Sequence, residues 1–291
     1  MTIFEALKNA AAQLDAAGVP DSRLDAEYLL AHVLGITRMQ LLLDNASKLS
    51  LSMQAAFDVL LERRKLREPL QYILGKQPFM GLDLYVDESV LIPRPETELL
   101  CEHVLSWLKT SNLASPAVLD LCTGSGALAV AIASHAPTAV VSAADISPAA
   151  IDTARKNAHM HNTCIAFYQG DFFHAVEGKE FDLIVCNPPY IPTAVCKTLQ
   201  PEVLREPGNA LDGGEDGLIF YKQLARYAPS FLCPGGALFC EVGFDQADDV
   251  KSMLMPHFHT ITVFEDFNHI PRIVAAISPK SLSGGSHVRQ V

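Results

Sequence analysis

The sequence predicts an α/β protein in which a mostly parallel seven-stranded sheet, with helices on both faces, follows a small helical bundle. Between residues 117 and 277, short apolar strand patterns alternate with helix patterns, which is typical of parallel sheets. Residues 1–68 show apolar residues at helical spacing and no strand pattern. The last two strand patterns, 260–264 and 272–277, follow each other directly, which predicts one antiparallel strand at the end of the sheet.

The first region is predicted to contain four short helices. Their patterns cover 2–17, 21 or 22 to 35, 37–44, and Ser50 or Ser52 to the basic cluster at 63–67. Residues 70–86 then alternate loosely around Gly75 and Gly81, which predicts a β-hairpin. We therefore expect a helical domain at 1–68 and a hairpin linker at 69–90.

The second region is predicted to begin with a helix near Pro95, because proline suits the first turn of a helix. The strand patterns that follow are 117–121, 139–144, 164–169, 181–186 and 237–242, and the helix patterns are 127–134, 148–160, 216–227 and 245–255. We expect this domain to span residues 91–278. The Ser- and Gly-rich residues 279–291 are predicted to form a flexible tail.

Composition and charge limit the functions that are open to the chain. Hydrophobic residues make up 49% and charged residues 19%, as in a globular protein with a sizeable core. The net charge is −11, and residues 1–77 hold nine basic and nine acidic residues, so the excess negative charge lies on the remainder. This balance argues against binding to nucleic acid. No apolar run is long enough to cross a membrane, so we expect a cytoplasmic protein, and we expect a monomer.

The cysteines and histidines predict neither disulfides nor a metal. The seven cysteines include no Cys-x-x-Cys pair, and most of them lie in apolar runs. The ten histidines are scattered without ligand spacing. We interpret the cysteines as reduced core thiols and expect no metal site.

The most specific motif is Asn187-Pro188-Pro189-Tyr190, which directly follows the buried strand pattern 181–186. Two prolines cannot extend the sheet, so the strand must end at Asn187, where open α/β sheets keep their active sites. The Asn187 side-chain carbonyl and the Pro188 backbone carbonyl can accept both hydrogens of a planar NH₂ group. The Tyr190 ring can pack against the plane of that group. The alternative interpretation is an ordinary proline-rich turn.

The ends of the three preceding strands carry groups suited to an adenosine. The turn at 120–126 places glycines before a helix, so that the backbone can approach a ligand closely. Asp145 ends the second strand, where a carboxylate can accept from both hydroxyls of a ribose. Asp171 and Phe172 follow the third strand, beside the expected place of an adenine. Taken singly, Asp145 could instead be a helix cap and Asp171 a turn residue.

Together these motifs resemble class I S-adenosylmethionine-dependent methyltransferases and, more narrowly, the family of release factor glutamine methyltransferases. The resemblance covers almost the whole chain. Its blocks are Arg23-Leu24-Asp25-Ala26-Glu27, Glu68-Pro69-Leu70-Gln71-Tyr72-Ile73-Leu74-Gly75, the residues from 91 to 98, and Ala210-Leu211-Asp212-Gly213-Gly214-Glu215-Asp216-Gly217.

The resemblance implies a methyltransferase sheet, S-adenosylmethionine as cofactor, and methylation of the glutamine in the Gly-Gly-Gln loop of class I peptide chain release factors. It also implies that the domain at 1–68 helps to hold the release factor. The implied substrate-binding residues are Asn187, Pro188, Pro189 and Tyr190, with Asn187, Pro188 and Tyr190 catalytic. The implied cofactor residues are Asp120, Cys122, Thr123, Gly124, Ser125, Gly126, Asp145, Asp171, Phe172 and Asn187.

Three positions depart from the family pattern. Cys122 stands where a glycine is common, although cysteine also occurs there in sister enzymes that modify a ribosomal protein. Phe172 stands where tryptophan is frequent, and residues 266–272 lack an expected glycine. Retention of Pro93-Arg94-Pro95-Glu96 and of the helical domain favours the release factor as substrate. Methylation of a ribosomal protein's glutamine and methylation of adenine in nucleic acid are the alternative activities, and a catalytically silent adaptor is the alternative class.

Overall fold

The computed structural model describes residues 1–280 and divides into two compact units. The first unit comprises residues 1–77, 86–88 and 199–206, and the second comprises 78–85, 89–198 and the chain from residue 207 onward. The tail was predicted to begin at residue 279, but Pro279 pairs with Phe258 in the last strand pair. Residues 281–291, on which the rest of that prediction falls, lie outside the described residues.

The helices of the first unit agree with the sequence patterns. They are α1 (Ile3–Ala16), α2 (Ser22–Leu34), α3 (Arg38–Leu43), α4 (Leu51–Lys65) and α5 (Leu70–Leu74). Thr2 caps α1 through a reciprocal pair of hydrogen bonds with Glu5, and Gly35 ends α2 in the left-handed conformation at φ 63°. Leu30 and Phe57 are buried in the core of this unit. The four predicted helices are confirmed.

The predicted hairpin over residues 70–86 is wrong in its first part, because residues 70–74 form α5. Leu70, Ile73 and Leu74 also fit the three- and four-residue spacing of a helix, and Gly75 ends that helix at φ 67°. The hairpin itself is short and consists of β1 (Gln77–Phe79) and β2 (Leu82–Leu84). Its turn contains Gly81 at φ 77°.

A distant segment, residues 199–206, belongs to the first unit. Glu202 accepts two hydrogen bonds from Arg67, each 2.6 Å long, and one from Arg64 at 2.8 Å. Arg205 donates to the Leu66 carbonyl at 2.6 Å. No local pattern predicts these contacts, since the partners lie more than 130 positions apart.

The second unit contains the sheet and the helices that cover it. Its helices are α6 (Pro95–Thr110), α7 (Ala127–His135), α8 (Pro148–Met160), α9 (Thr193–Cys196), α10 (Ile219–Phe231) and α11 (Ala247–Leu254). Its strands are β3 (Ala117–Leu121), β4 (Val140–Asp145), β5 (Ile165–Gln169), β6 (Phe181–Cys186), β7 (Leu232–Glu241), β8 (Phe258–Glu265) and β9 (Pro271–Pro279). The helix predicted at 216–227 starts later, because Gly217 lies at φ 72° and Asp216 accepts from the Leu218 amide in a turn.

Within residues 1–280, seven strands form one sheet in the order β5-β4-β3-β6-β7-β9-β8. Of these seven strands only β9 runs in the direction opposite to the others, so the predicted mostly parallel sheet is confirmed. The antiparallel strand was predicted at the end of the sheet, but it lies between β7 and β8. The reason is that β9 returns from β8 as a hairpin and pairs with the free edge of β7.

Both faces of the sheet are buried, which explains the continuous apolar runs of its strands. Neighbouring residues such as Val118 and Leu119 belong to two different core clusters, one on each face. From β3 the chain proceeds to β4 and β5 on one side, whereas β6 and β7 lie on the other. Open α/β sheets bind their ligands where the strand order reverses in this way, here between β3 and β6.

Candidate active site

A cavity of about 450 Å³ lies at this reversal, at the carboxyl ends of the central strands. Its walls come from the segments that follow β3, β4, β5 and β6, and from residues 89–97 and 207–220, all of which belong to the second unit. A volume of this size suits a nucleoside-sized ligand.

Most of the predicted site residues surround this cavity. Those on its wall are Cys122, Thr123, Gly124, Ser125, Asp145, Asp171, Phe172, Asn187 and Pro189. Asp120, Gly126, Pro188 and Tyr190 are not part of the wall. The cavity therefore gathers residues from four separate strand ends, while the role of each residue stays a prediction.

Asp120 lies beneath the glycine-rich turn and has no exposed surface. Its Oδ2 accepts from Thr123 Oγ1 at 2.5 Å and from the Ala129 amide at 3.0 Å. Burial raises the pKa of Asp120 to about 7, although these two hydrogen bonds oppose the rise. Asp120 was predicted to bind the cofactor, but its contacts indicate that it shapes the turn.

The glycine-rich turn needs left-handed backbone at three positions: Cys122 lies at φ 64°, Gly124 at 53° and Gly126 at 79°. A Cβ on Gly126 would lie 2.9 Å from the Cβ of Ala154 in α8, so a side chain has no room there. Around Gly124 the corresponding space is open. Gly126 therefore serves packing, whereas Gly124 leaves its backbone accessible to a ligand.

Asp145 contacts the same turn and also faces the cavity. One carboxylate oxygen accepts from the Gly124 amide and the other from the Ser147 amide, both at 2.9 Å. Burial raises the pKa of Asp145 against the effect of these bonds. These amides do not use all the lone pairs of the carboxylate, so Asp145 can still accept from a hydroxyl in the cavity.

Phe172 combines an unusual backbone with a buried ring. It lies at φ 48°, its side chain is almost fully buried, and its ring contacts Phe173 and Phe220. Left-handed backbone is costly for a bulky residue and is found where the surrounding structure imposes it. The ring therefore has a fixed place on the cavity wall beside Asp171.

Asn187 is half-buried, and its Nδ2 donates to Thr97 Oγ1 at 3.0 Å. Within residues 1–280 we find no donor to Asn187 Oδ1 and none to the Pro188 carbonyl. Both acceptors of the predicted clamp are therefore available. The Tyr190 ring packs against the sheet core, and its hydroxyl donates to Glu241 Oε1 at 3.3 Å.

Glycines from the block at 210–217 hold the backbone of Tyr190 in place. A Cβ on Gly213 would lie 2.7 Å from Tyr190 Cα, and one on Gly217 would lie 2.4 Å from the Tyr190 carbonyl oxygen. The same carbonyl accepts from Gln246 Nε2 at 2.9 Å. Only glycine permits this close approach, which gives the block a structural role beside the Asn-Pro-Pro-Tyr motif.

Two residues of the site, Thr97 and Glu241, were not predicted from the sequence. Thr97 Oγ1 donates to Glu241 Oε2 at 2.7 Å, and Glu241 is almost completely buried at the end of β7. Burial raises the pKa of Glu241 to about 7, although hydrogen bonds from Thr97 and Tyr190 oppose the rise. The available signal was an acid inside the apolar strand pattern 237–242, since a carboxylate in that position must have partners.

Within residues 1–280, no group of three or more His, Cys, Asp or Glu side chains is arranged to hold a metal ion. No helix in that range has both the length and the apolar character that crossing a bilayer requires.

Comparison with known proteins gives matches along most of the chain. Residues 5–75 match the family described as PrmC N-terminal domain, and residues 96–228 match the methyltransferase small domain. The release factor glutamine methyltransferase of Geobacter sulfurreducens is 45% identical over 259 residues, which cover 88% of this chain and 90% of that protein. The enzyme of the same name from Chlorobaculum tepidum is 42% identical and covers 93% of this chain and 95% of its own length.

Solved structures support the fold. A methyltransferase from Pyrococcus furiosus has a TM-score of 0.51 at 19% identity and covers 68% of this chain and 89% of its own. The Thermus thermophilus 16S rRNA N2 G1207 methyltransferase, solved with AdoMet and guanosine, has a TM-score of 0.52 at 19% identity and covers 70% of this chain and 49% of its own. At this identity the likeness shows the methyltransferase fold alone.

Proposed function

The chain belongs to the family of release factor glutamine methyltransferases, and from this premise we propose how its cavity performs the reaction. The enzyme transfers a methyl group from S-adenosylmethionine to the side-chain amide nitrogen of the glutamine in the Gly-Gly-Gln loop of peptide chain release factors. The observation that carries the assignment to this cavity is the available acceptor Asn187 Oδ1, on the same wall as Gly124, Asp145 and Phe172. The Pro188 carbonyl, which follows directly in the chain, also has no donor within residues 1–280.

The cavity wall fits the cofactor. The open space at Gly124, the carboxylate of Asp145 and the fixed ring of Phe172 supply room for close approach of a ligand, a ribose acceptor and an aromatic surface. When bound, S-adenosylmethionine supplies a methyl group on a positively charged sulfur. We propose that Gly124, Asp145, Asp171 and Phe172 hold it, and that Asp120 and Gly126 act by shaping the turn.

An amide nitrogen is a weak nucleophile because its lone pair is delocalised into the carbonyl, so orientation has to contribute much of the rate. We propose that Asn187 Oδ1 and the Pro188 carbonyl accept the two amide hydrogens of the substrate glutamine. Hydrogen bonds to both acceptors would raise the electron density on nitrogen and aim its lone pair at the methyl group. The Tyr190 ring is proposed to limit movement of the amide plane.

Asp145 gives the most direct test of the cofactor site. Asp145→Ala removes a charged acceptor and the support of the Gly124 amide, so binding of S-adenosylmethionine should weaken by roughly 1.5–3 kcal/mol. Calorimetry measures this loss, and Asp152→Ala on an exposed position of α8 is the matched control. Unchanged affinity in Asp145→Ala would reassign Asp145 to a purely structural cap.

The substrate is tested with methyl-labelled S-adenosylmethionine. The purified enzyme is incubated separately with release factor, release factor lacking the loop glutamine, ribosomal proteins and DNA. We expect label in the intact release factor and none in its glutamine-free variant. Label in ribosomal protein or DNA instead would favour one of the alternative activities, and label in no substrate would favour an adaptor.

We further propose that the chain is divided functionally into a helical domain that contacts the release factor and a catalytic domain, because a loop glutamine alone offers little surface for selection. Simple deletion of the helices would leave Glu202 without Arg64 and Arg67, so surface substitutions make the better test. Leu43 and Leu51 are 81% and 91% exposed on the first unit.

Leu43→Ser combined with Leu51→Ser should lower kcat/KM on intact release factor about tenfold, in line with the loss of one or two apolar contacts. Activity on a short Gly-Gly-Gln peptide should not change, because the peptide does not reach the helical surface. Rate measurements on both substrates provide the comparison. Equal losses on peptide and protein would argue against recognition by this surface.

A further inference from the structure

A buried hydrogen-bond chain connects Asn187 to Glu241 through Thr97. Asn187 Nδ2 donates to Thr97 Oγ1 at 3.0 Å, and Thr97 Oγ1 donates to Glu241 Oε2 at 2.7 Å. The second carboxylate oxygen accepts from the Tyr190 hydroxyl at 3.3 Å. The Tyr221 hydroxyl donates to the backbone carbonyl of Glu241 at 2.9 Å, which fixes the end of β7. One buried acid thus supports both polar side chains of the Asn-Pro-Pro-Tyr motif.

The direction of these bonds follows from proton counting. Once ionised, a carboxylate can only accept hydrogen bonds, so Thr97 must give its single hydroxyl proton to Glu241. Only lone pairs of Thr97 Oγ1 then face Asn187, and the side-chain amide has to turn its NH₂ group toward them. The same constraint turns Asn187 Oδ1 away from Thr97. Within the described residues no donor contacts this oxygen, and Asn187 lies on the cavity wall.

The orientation matters because an asparagine amide can present either of two opposite chemical faces. With Oδ1 toward the cavity, Asn187 accepts from the NH₂ group of a glutamine substrate. A flipped amide would present its own NH₂ group to that substrate, so that two donors faced each other and the contact became repulsive. The Thr97 hydroxyl has no such ambiguity as long as it donates its proton to the ionised Glu241.

We propose that Thr97 and Glu241 are positioning residues that fix the amide orientation of Asn187, so that its carbonyl oxygen faces the reacting nitrogen. The inference rests on the proposed function of Asn187. It adds the reason why the carbonyl oxygen of Asn187, and not its NH₂ group, faces the substrate. Neither residue needs to touch the substrate nitrogen. Both act through Asn187, so their effects on kcat should depend on the presence of the Asn187 side chain.

The first test compares Thr97→Val with Thr97→Ser at pH 8, above the pKa of about 7 for Glu241. Valine keeps the shape of threonine but removes the hydroxyl, so kcat on release factor should fall about 10- to 100-fold, as is typical of lost orientation. The KM for release factor and the affinity for S-adenosylmethionine should change about twofold or less, since uniform binding is not affected. Serine restores the hydroxyl and should recover most of the lost rate.

The second test is a double-mutant cycle with Asn187→Ala. If Thr97 acts through Asn187, adding Thr97→Val to Asn187→Ala should cause no further loss of kcat. Additive losses, or a Thr97→Val enzyme with wild-type kcat, would overturn the inference while leaving the clamp intact. Wild-type kcat in Asn187→Ala alone would overturn the clamp itself, and this inference with it.

Glu241→Gln provides a second variant should Thr97→Val fold poorly. A glutamine amide can turn either its oxygen or its NH₂ group toward Thr97, so only part of the population would keep Asn187 correctly oriented. We expect a smaller loss of kcat than in Thr97→Val, and we expect that loss to vanish in the Asn187→Ala background. A loss that persists in that background would show that Glu241 acts elsewhere.

Discussion

Replacing Asn187 by alanine should lower the turnover of release factor by about 100-fold or more. The substitution removes the side-chain acceptor of the proposed clamp, and the substrate amide then has only the Pro188 carbonyl to hold it. Binding of S-adenosylmethionine should remain largely intact, because Gly124, Asp145 and Phe172 are unchanged. The expected loss is therefore one of kcat.

Single-turnover kinetics on release factor and calorimetry with the cofactor separate these two effects. Asn268→Ala, at an exposed position in the turn between β8 and β9, is the matched control and should retain wild-type turnover. A normal kcat in Asn187→Ala would eliminate the clamp as the source of orientation. A parallel loss of cofactor affinity would place Asn187 in the cofactor site instead.

The order of elements was predictable because each strand and helix carries its own local pattern. β3, β6 and α8 lie where their apolar spacing placed them, and proline or glycine marks many of the boundaries. The position of β9 inside the sheet was not predictable in the same way. It depends on which free edge the last hairpin pairs with, and that choice is made by the assembled sheet.

The same distinction between local patterns and distant contacts applies to the candidate site. Gly124, Asp145 and Asn187 were found because strand ends of a parallel sheet converge, so short motifs at those ends meet in one cavity. Thr97 and Glu241 were missed because their meaning lies in a contact between residues 144 positions apart. Asp120 shows a related ambiguity, since a carboxylate beside a glycine-rich turn can face either the ligand or the turn, and its hydrogen bonds here are to the turn and the helix that follows it.

Arg64 carries the largest expected effect on stability. Its side chain is only 6% exposed, and it donates to Asp25 Oδ2 at 2.7 Å and to Glu202 Oε1 at 2.8 Å. Burial raises the pKa of Asp25 even with Arg64 present, whereas hydrogen bonds from Arg67 and Arg64 overcome burial and lower the pKa of Glu202 to about 2. Without the guanidinium, the carboxylates of Asp25 and Glu202 would remain largely buried and would lose a hydrogen-bond donor and a positive charge.

Arg64→Met should therefore destabilise the first unit by about 3–5 kcal/mol, the range for breaking one side of a buried ion pair. Arg63→Met is the matched control on the same helix: its pair with Glu68 is 41% and 23% exposed, so its loss should cost about 0–1 kcal/mol. Urea unfolding followed by circular dichroism measures both changes. The pKa of Glu202 is lower in the folded protein than the value of about 4.5 expected in the unfolded chain, so ionised Glu202 stabilises the fold above pH 4.5. The contribution of Glu202 to the Arg64 effect should therefore fade as the pH falls from 4.5 toward 2. Equal destabilisation by the two substitutions would show that Arg64 has no special role in holding residues 199–206.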